Sequence, residues 1–122
     1  MQHIDKLFQI AKRKSEFDNS NPWYSGSQIY LTEMKNEVDE VVEEIPKHRR
    51  CYLEDELGDV LWDYFNAILS LEKEAGVTLD SIIARACRKY EERVGAIENG
   101  IPWDDVKQQQ KKQLAEEHAN EK

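Results

Sequence analysis

The sequence is short of helix breakers, with five glycines and three prolines in 122 residues. Its two cysteines, Cys51 and Cys87, form no CxxC pair, which excludes a disulfide scaffold. Both are expected as reduced thiols of a cytoplasmic protein. No apolar run approaches the ~18 residues of a membrane span, so no membrane partner is expected. The opening Met1-Gln2-His3-Ile4-Asp5-Lys6 does not have the form of a signal peptide. Positive charge is in deficit: 17 Lys and Arg stand against 25 Asp and Glu, a net charge of −8. That balance argues against nucleic acid held on a broad basic face, but leaves room for a local basic pocket. His3, His48 and His118 stand at no metal-ligand spacing, and there is no Glu-x-x-His. A di-iron carboxylate bundle is therefore disfavoured.

What remains is a helical pattern. Between the glycines and prolines the apolar residues recur at three and four. Ile4, Leu7, Phe8 and Ala11 mark a first helix ending near Phe17. A second runs from about Ser27 until Pro46 stops it, with Tyr30, Met34, Val38, Val41 and Ile45 as its apolar face. After the short basic loop Pro46–Arg50, which reads as solvated, a third helix carries Leu53, Leu57, Val60, Tyr64, Ile68 and Leu71. Gly76 stands where a left-handed stop would fall. The fourth opens after Thr78 with Leu79, Ile82, Ile83, Ala86, Tyr90 and Val94. The expectation is an all-α, four-helix-bundle-like domain over residues 1–100, followed by a polar tail over 101–122. The tail, with its Lys/Gln run, is either a solvated helix or disordered. Trp62, Phe65 and Leu69 flank the third helix's main apolar arc, a surplus of apolar surface that points to a homo-oligomer.

The acids fall in register with these faces. On the second helix, stepped at ~100° per residue, the apolar face spans about +20° to +100° from Glu37. Glu37, Glu44, Glu33 and Glu40 occupy about 0° to −60° on the same wheel. The third helix repeats the pattern about Glu56, with Asp63 and Asp59 beside it. A short loop makes the two helices antiparallel neighbours, and reversing one brings both acidic arcs to the same side of the seam. Glu37 and Glu40 lie about as far before the loop as Glu56 and Asp59 lie after it. These four carboxylates should converge, and Asp63, one turn further on, is an outer-shell candidate. Like charges beside a core are costly unless compensated, and carboxylate oxygens suit Mg²⁺, with Mn²⁺ as a substitute.

Glu37-Val38-Asp39-Glu40 and Glu56-Leu57-Gly58-Asp59, with 15 residues between them, form E-x-x-E and E-x-x-D. The pair resembles the signature of MazG-like nucleoside triphosphate pyrophosphohydrolases, within the all-α NTP pyrophosphatase superfamily. Gly76-Val77-Thr78-Leu79-Asp80, then Lys89 and Arg93, are similar to that family's G-x-x-L-D…K-x-x-x-R stretch. The short single domain resembles the compact MazG proteins of integron cassettes. Pro22-Trp23-Tyr24-Ser25-Gly26-Ser27-Gln28 differs from the family's Pro-Trp-Asp-x-x-Gln by one extra residue and the absence of Asp.

The resemblance implies cleavage between the α- and β-phosphates of a nucleoside triphosphate, giving monophosphate and pyrophosphate. It makes Glu37, Glu40, Glu56 and Asp59 the metal and catalytic residues. It makes Lys89 and Arg93 the partners of the phosphate chain, with Trp23 the aromatic best suited to stack on the base. A dNTP preference, a nucleotide-pool role and assembly as a homodimer or homotetramer follow from the same likeness. Two alternatives stay open. One is a non-catalytic helical module that docks through its acid arcs. The other is a sister enzyme, dUTPase-like or a phosphoribosyl-ATP pyrophosphohydrolase.

Overall fold

The computed structural model describes residues 2–20 and 26–121, so Trp23 lies outside the described residues. Those residues form helices and turns and no strand, as the spacing predicts. They group into two compact units, Met1–Leu79 and Asp80–Lys122. None of the described helices is long and apolar enough to cross a membrane.

In the first unit, α1 (Gln2–Asp18) leads to α2 (Ser27–Glu44), and α3 (Arg50–Ala75) packs against both. The joints are polar and specific. Asp18, almost fully buried, accepts hydrogen bonds from Lys14 Nζ at 2.6 Å and from the Tyr30 hydroxyl at 2.9 Å. That fastens the end of α1 to the start of α2. The N-cap of α2, Gly26, has no side chain to cap the first turn; Glu74 of α3 supplies a cap. Its carboxylate accepts from Ser27 N at 2.9 Å and Ser27 Oγ at 2.7 Å, negative charge at a helix N-terminus. Gly26 makes this approach possible. Its φ of 90° favours glycine, and a Cβ there would lie 3.1 Å from Glu74 Oε2.

Pro46 ends α2 in a 3-10 turn over Ile45–Lys47, and His48 takes a left-handed conformation. Arg49 then closes the reversal with a two-point contact on Glu44, at 3.0 and 2.8 Å, and stacks over Tyr52. Arg49 is exposed, as expected for this loop, but it also ties the loop to α2 through Glu44. α3 ends at Gly76 with φ 72°, the left-handed stop expected from the sequence.

The core departs from expectation. Phe65 and Leu69 are buried with Ala11 of α1, and Leu7, Phe8, Leu61, Trp62 and Leu79 pack around them. Phe8 meets Phe65 edge to face, ring centres 5.2 Å apart. Trp62, Phe65 and Leu69 are therefore not surplus surface. A helical wheel centred on the α2 seam shows one packed side of α3, whereas α3 has a second, against α1. The apolar surplus lies elsewhere, on the arcs expected to be core: Val38, Ile45, Leu57 and Tyr64 are all exposed.

In the second unit, α4 (Leu79–Glu98) ends in a Schellman turn. Ile101 N donates to Ala96 O at 2.8 Å and Gly100 N to Ile97 O at 3.0 Å, with Gly100 at φ 76°. Pro102 then starts α5 (Trp103–Asn120), so the polar tail is a helix, and none of its residues is buried.

Candidate functional site

The short reversal after α2 sets α2 and α3 side by side, and the acids meet across that pair. Glu37, Glu56 and Asp59 each offer a carboxylate oxygen, and the three oxygens lie within 4.8 Å of one another. Glu40 lies beside them, close enough to raise the carboxyls of both Glu37 and Glu56. The structure thus brings together the four carboxylates singled out from the sequence. Two of the four are not simply solvated. Glu37 and Glu56 are half-buried, and Oε2 of each is buried with no hydrogen-bond partner among the described residues.

The electrostatics follow. Burial, then the Glu40 contact and the charges of Asp59 and Asp63, push the Glu37 carboxyl up to about 7. Glu56 is raised first by Glu40 and then by burial. Burial and the neighbouring Asp55 and Glu40 raise Asp59. Asp63 extends the cluster by one turn: it is buried, its Oδ2 has no partner among the described residues, and burial, Glu33 and Asp59 raise it. An arrangement of all-oxygen donors with orphaned buried lone pairs and mutual repulsion is incomplete chemically. It fits a divalent cation, which would take up those lone pairs and cancel the repulsion.

The second unit holds the cations. Lys89 is exposed on α4 with its Nζ 5.4 Å from the centre of the Tyr90 ring. Arg93 is buried, at 8% exposure. Its Nε donates to Gln110 Oε1 of α5 at 2.8 Å. Its guanidinium carbon lies 5.2 Å from the Trp103 ring centre and 5.5 Å from that of Tyr90. Arg85 pairs with Glu117 at 2.6 Å across the same two helices. Between α4 and α5 lies a cleft of about 370 Å³, whose lining includes Arg88, Lys89, Arg93, Lys107 and Lys111. Sequence reasoning missed Gln110 and Trp103. The only signal was a polar face, Lys107, Gln110 and Lys111, recurring at helical spacing within the Lys/Gln run.

A family model, described as the MazG nucleotide pyrophosphohydrolase domain, matches residues 25–97. Comparison with curated proteins and with solved structures finds no match to the chain. The matched span runs from just before α2 almost to the end of α4, so it takes in the whole carboxylate cluster together with Lys89 and Arg93, and α5 falls beyond it. On a match covering well over half its length, the chain belongs to the MazG nucleotide pyrophosphohydrolase domain family.

Proposed function

We propose that the protein hydrolyses nucleoside triphosphates between the α- and β-phosphates, with Mg²⁺ as the working cation and Mn²⁺ as a substitute. The observation that carries this reading is the trio Glu37, Glu56 and Asp59, gathered within 4.8 Å, with orphaned buried oxygens on Glu37 and Glu56, inside a MazG match. Glu37, Glu40, Glu56 and Asp59 would hold the cation. When bound, it neutralises phosphate oxygens and lowers the pKa of a nearby water.

The chain's own residues do the rest. A carboxylate of the cluster accepts a proton from the attacking water. The water oxygen bonds to the α-phosphorus as the α–β bridging bond breaks, and the electron pair leaves on pyrophosphate. Lys89 and Arg93 take up that growing negative charge. Trp23 stacks on the base. The products are a nucleoside monophosphate and pyrophosphate, consistent with a deoxynucleotide-pool role.

The decisive experiment offers each NTP and dNTP with Mg²⁺ and identifies the products. Monophosphate plus pyrophosphate is expected, most rapidly from a dNTP. Orthophosphate release, or no hydrolysis of any of them, overturns the reading.

The assembly is proposed to be a homodimer or homotetramer. Ile83, Tyr90, Val94 and Ile97 follow helical spacing along α4, and each is about half exposed. Such a stripe calls for a partner surface. A monomeric mass by light scattering at micromolar concentration rules that out.

A further inference from the structure

Most of the pairing across α4 and α5 is polar, and it centres on one amide. Gln110 uses three of its four hydrogen-bonding positions. Its Oε1 accepts from Arg93 Nε at 2.8 Å. Its Nε2 donates to Lys89 O at 3.0 Å and to Glu92 Oε1 at 2.9 Å. Arg93 is therefore gripped by its Nε and flanked by the Trp103 and Tyr90 rings. Its two terminal nitrogens have no hydrogen bond or ion pair among the described residues. A guanidinium held this way offers a fork of donors whose plane is already fixed, the geometry that two phosphate oxygens accept.

The chemistry of the gripping group matters as much as its place. A carboxylate at residue 110 would also hold Arg93, but would pair with its charge and compete with a phosphate. A neutral amide oxygen fixes the side chain and leaves the full positive charge available. Neither Gln110 nor Trp103 lies within the span that the family model matches.

We infer that Gln110 is a positioning residue, which holds Arg93 through Nε so that its terminal nitrogens meet the phosphates of the substrate. This rests on the proposed role of Arg93 toward the phosphate chain, and the test separates the two. Kinetics on the preferred nucleotide, melting temperature, and calorimetric titration with inorganic pyrophosphate in chelator are measured on four proteins: wild type, Arg93→Ala, Gln110→Glu and the double variant.

Gln110→Glu is expected to melt lower than wild type yet stay folded, because it keeps the contact to Arg93 Nε but loses both donor contacts and faces Glu92. Its kcat/KM and its pyrophosphate affinity should nevertheless each fall by about tenfold or more. The double variant should be no slower than Arg93→Ala, since Gln110 acts through Arg93. A purely structural Gln110 would give wild-type kinetics once the fold is kept. Wild-type kcat/KM and pyrophosphate affinity in Gln110→Glu, or losses that multiply in the double variant, overturn the inference while leaving the role of Arg93 standing. Wild-type kinetics in Arg93→Ala overturn both. Should Gln110→Glu fail to fold by circular dichroism, Gln110→Leu replaces it, with the same losses expected and the same result overturning them.

Discussion

Two helix pairs in one chain treat charge in opposite ways. In α2–α3 the helices pack closely and force acids together, so that Glu37, Glu56 and Asp63 keep buried oxygens without partners among the described residues. In α4–α5 a cleft separates the helices, and polar partners fix the cations: Gln110 holds Arg93, and Glu117 holds Arg85. The first pair is left electrostatically unfinished, and a ligand of opposite sign would complete it. The second has its cations held by polar partners, with the terminal nitrogens of Arg93 aimed in advance at a ligand. Function and stability should therefore oppose one another in the first pair and run together in the second.

The largest effect should come from the acids. Glu40→Gln or Glu56→Gln is expected to lower turnover by about 100-fold or more, with the helical content unchanged. In the absence of metal either variant should melt higher than wild type, because one repelling charge is gone. Millimolar Mg²⁺ should raise the melting temperature of the wild type and do much less for the variants. Near-normal turnover in both would sink the metal assignment. A fall in metal-free stability would mean that these carboxylates hold the fold rather than strain it.

The cations should behave differently from the acids and from each other. Lys89→Ala and Arg93→Ala should each lower kcat/KM by ~10- to 1,000-fold, equivalent to about 1.4–4 kcal/mol of transition-state stabilisation. Neither can ligate a metal, so stabilisation by Mg²⁺ should persist in both. Arg93→Ala should also melt lower than wild type, since Arg93 ties α4 to Trp103 and Gln110 of α5. Exposed Lys89 has no such duty. If both variants keep wild-type kinetics, the second helix pair has no part in the reaction.

How much of this was legible in the sequence depended on whether one helix or two had to be considered. Helix limits followed from local chemistry: Pro46 ended α2, Gly76 stopped α3, and α4 opened after Thr78. The convergence of acids across α2 and α3 needed only one antiparallel pair and its angular register, and Glu37, Glu56 and Asp59 do meet there, with Glu40 beside Glu37. The core was harder to read. Phe65 and Leu69 face α1, whose position on α3 no wheel can supply, so helical spacing alone reads them as surplus and Leu57 and Val38 as core. The cap that Glu74 gives α2 reaches across 47 residues, and the grip of Gln110 on Arg93 across 17. No local pattern marks such pairings, because the partner lies outside any helical period.

The smallest expected effect is a pH dependence of stability without metal, and its sign tests the unfinished character of α2–α3. Glu37, raised to about 7, and Glu56, Asp59 and Asp63, raised as well, hold protons in the folded chain at pH values where the unfolded chain has lost them. Groups with folded pKa values above their unfolded ones contribute stability that is present at low pH and lost as pH rises through the folded value. The groups named as raising them are other carboxylates, Glu33, Glu40 and Asp55 among them. Glu44 and Glu117 work the other way, held low by Arg49 and Arg85. Their contribution fades only as pH falls below the ordinary carboxylate range, outside the window that matters here. In chelator the melting temperature should therefore fall between about pH 5 and pH 7.5 as the cluster is forced to ionise. Saturating Mg²⁺ at the upper end should recover most of the loss, because a bound cation favours the ionised carboxylates that protons otherwise hold neutral. A melting temperature that climbs over the same interval in chelator would show that cations satisfy these acids in the folded chain, and the contrast between the two helix pairs would fail.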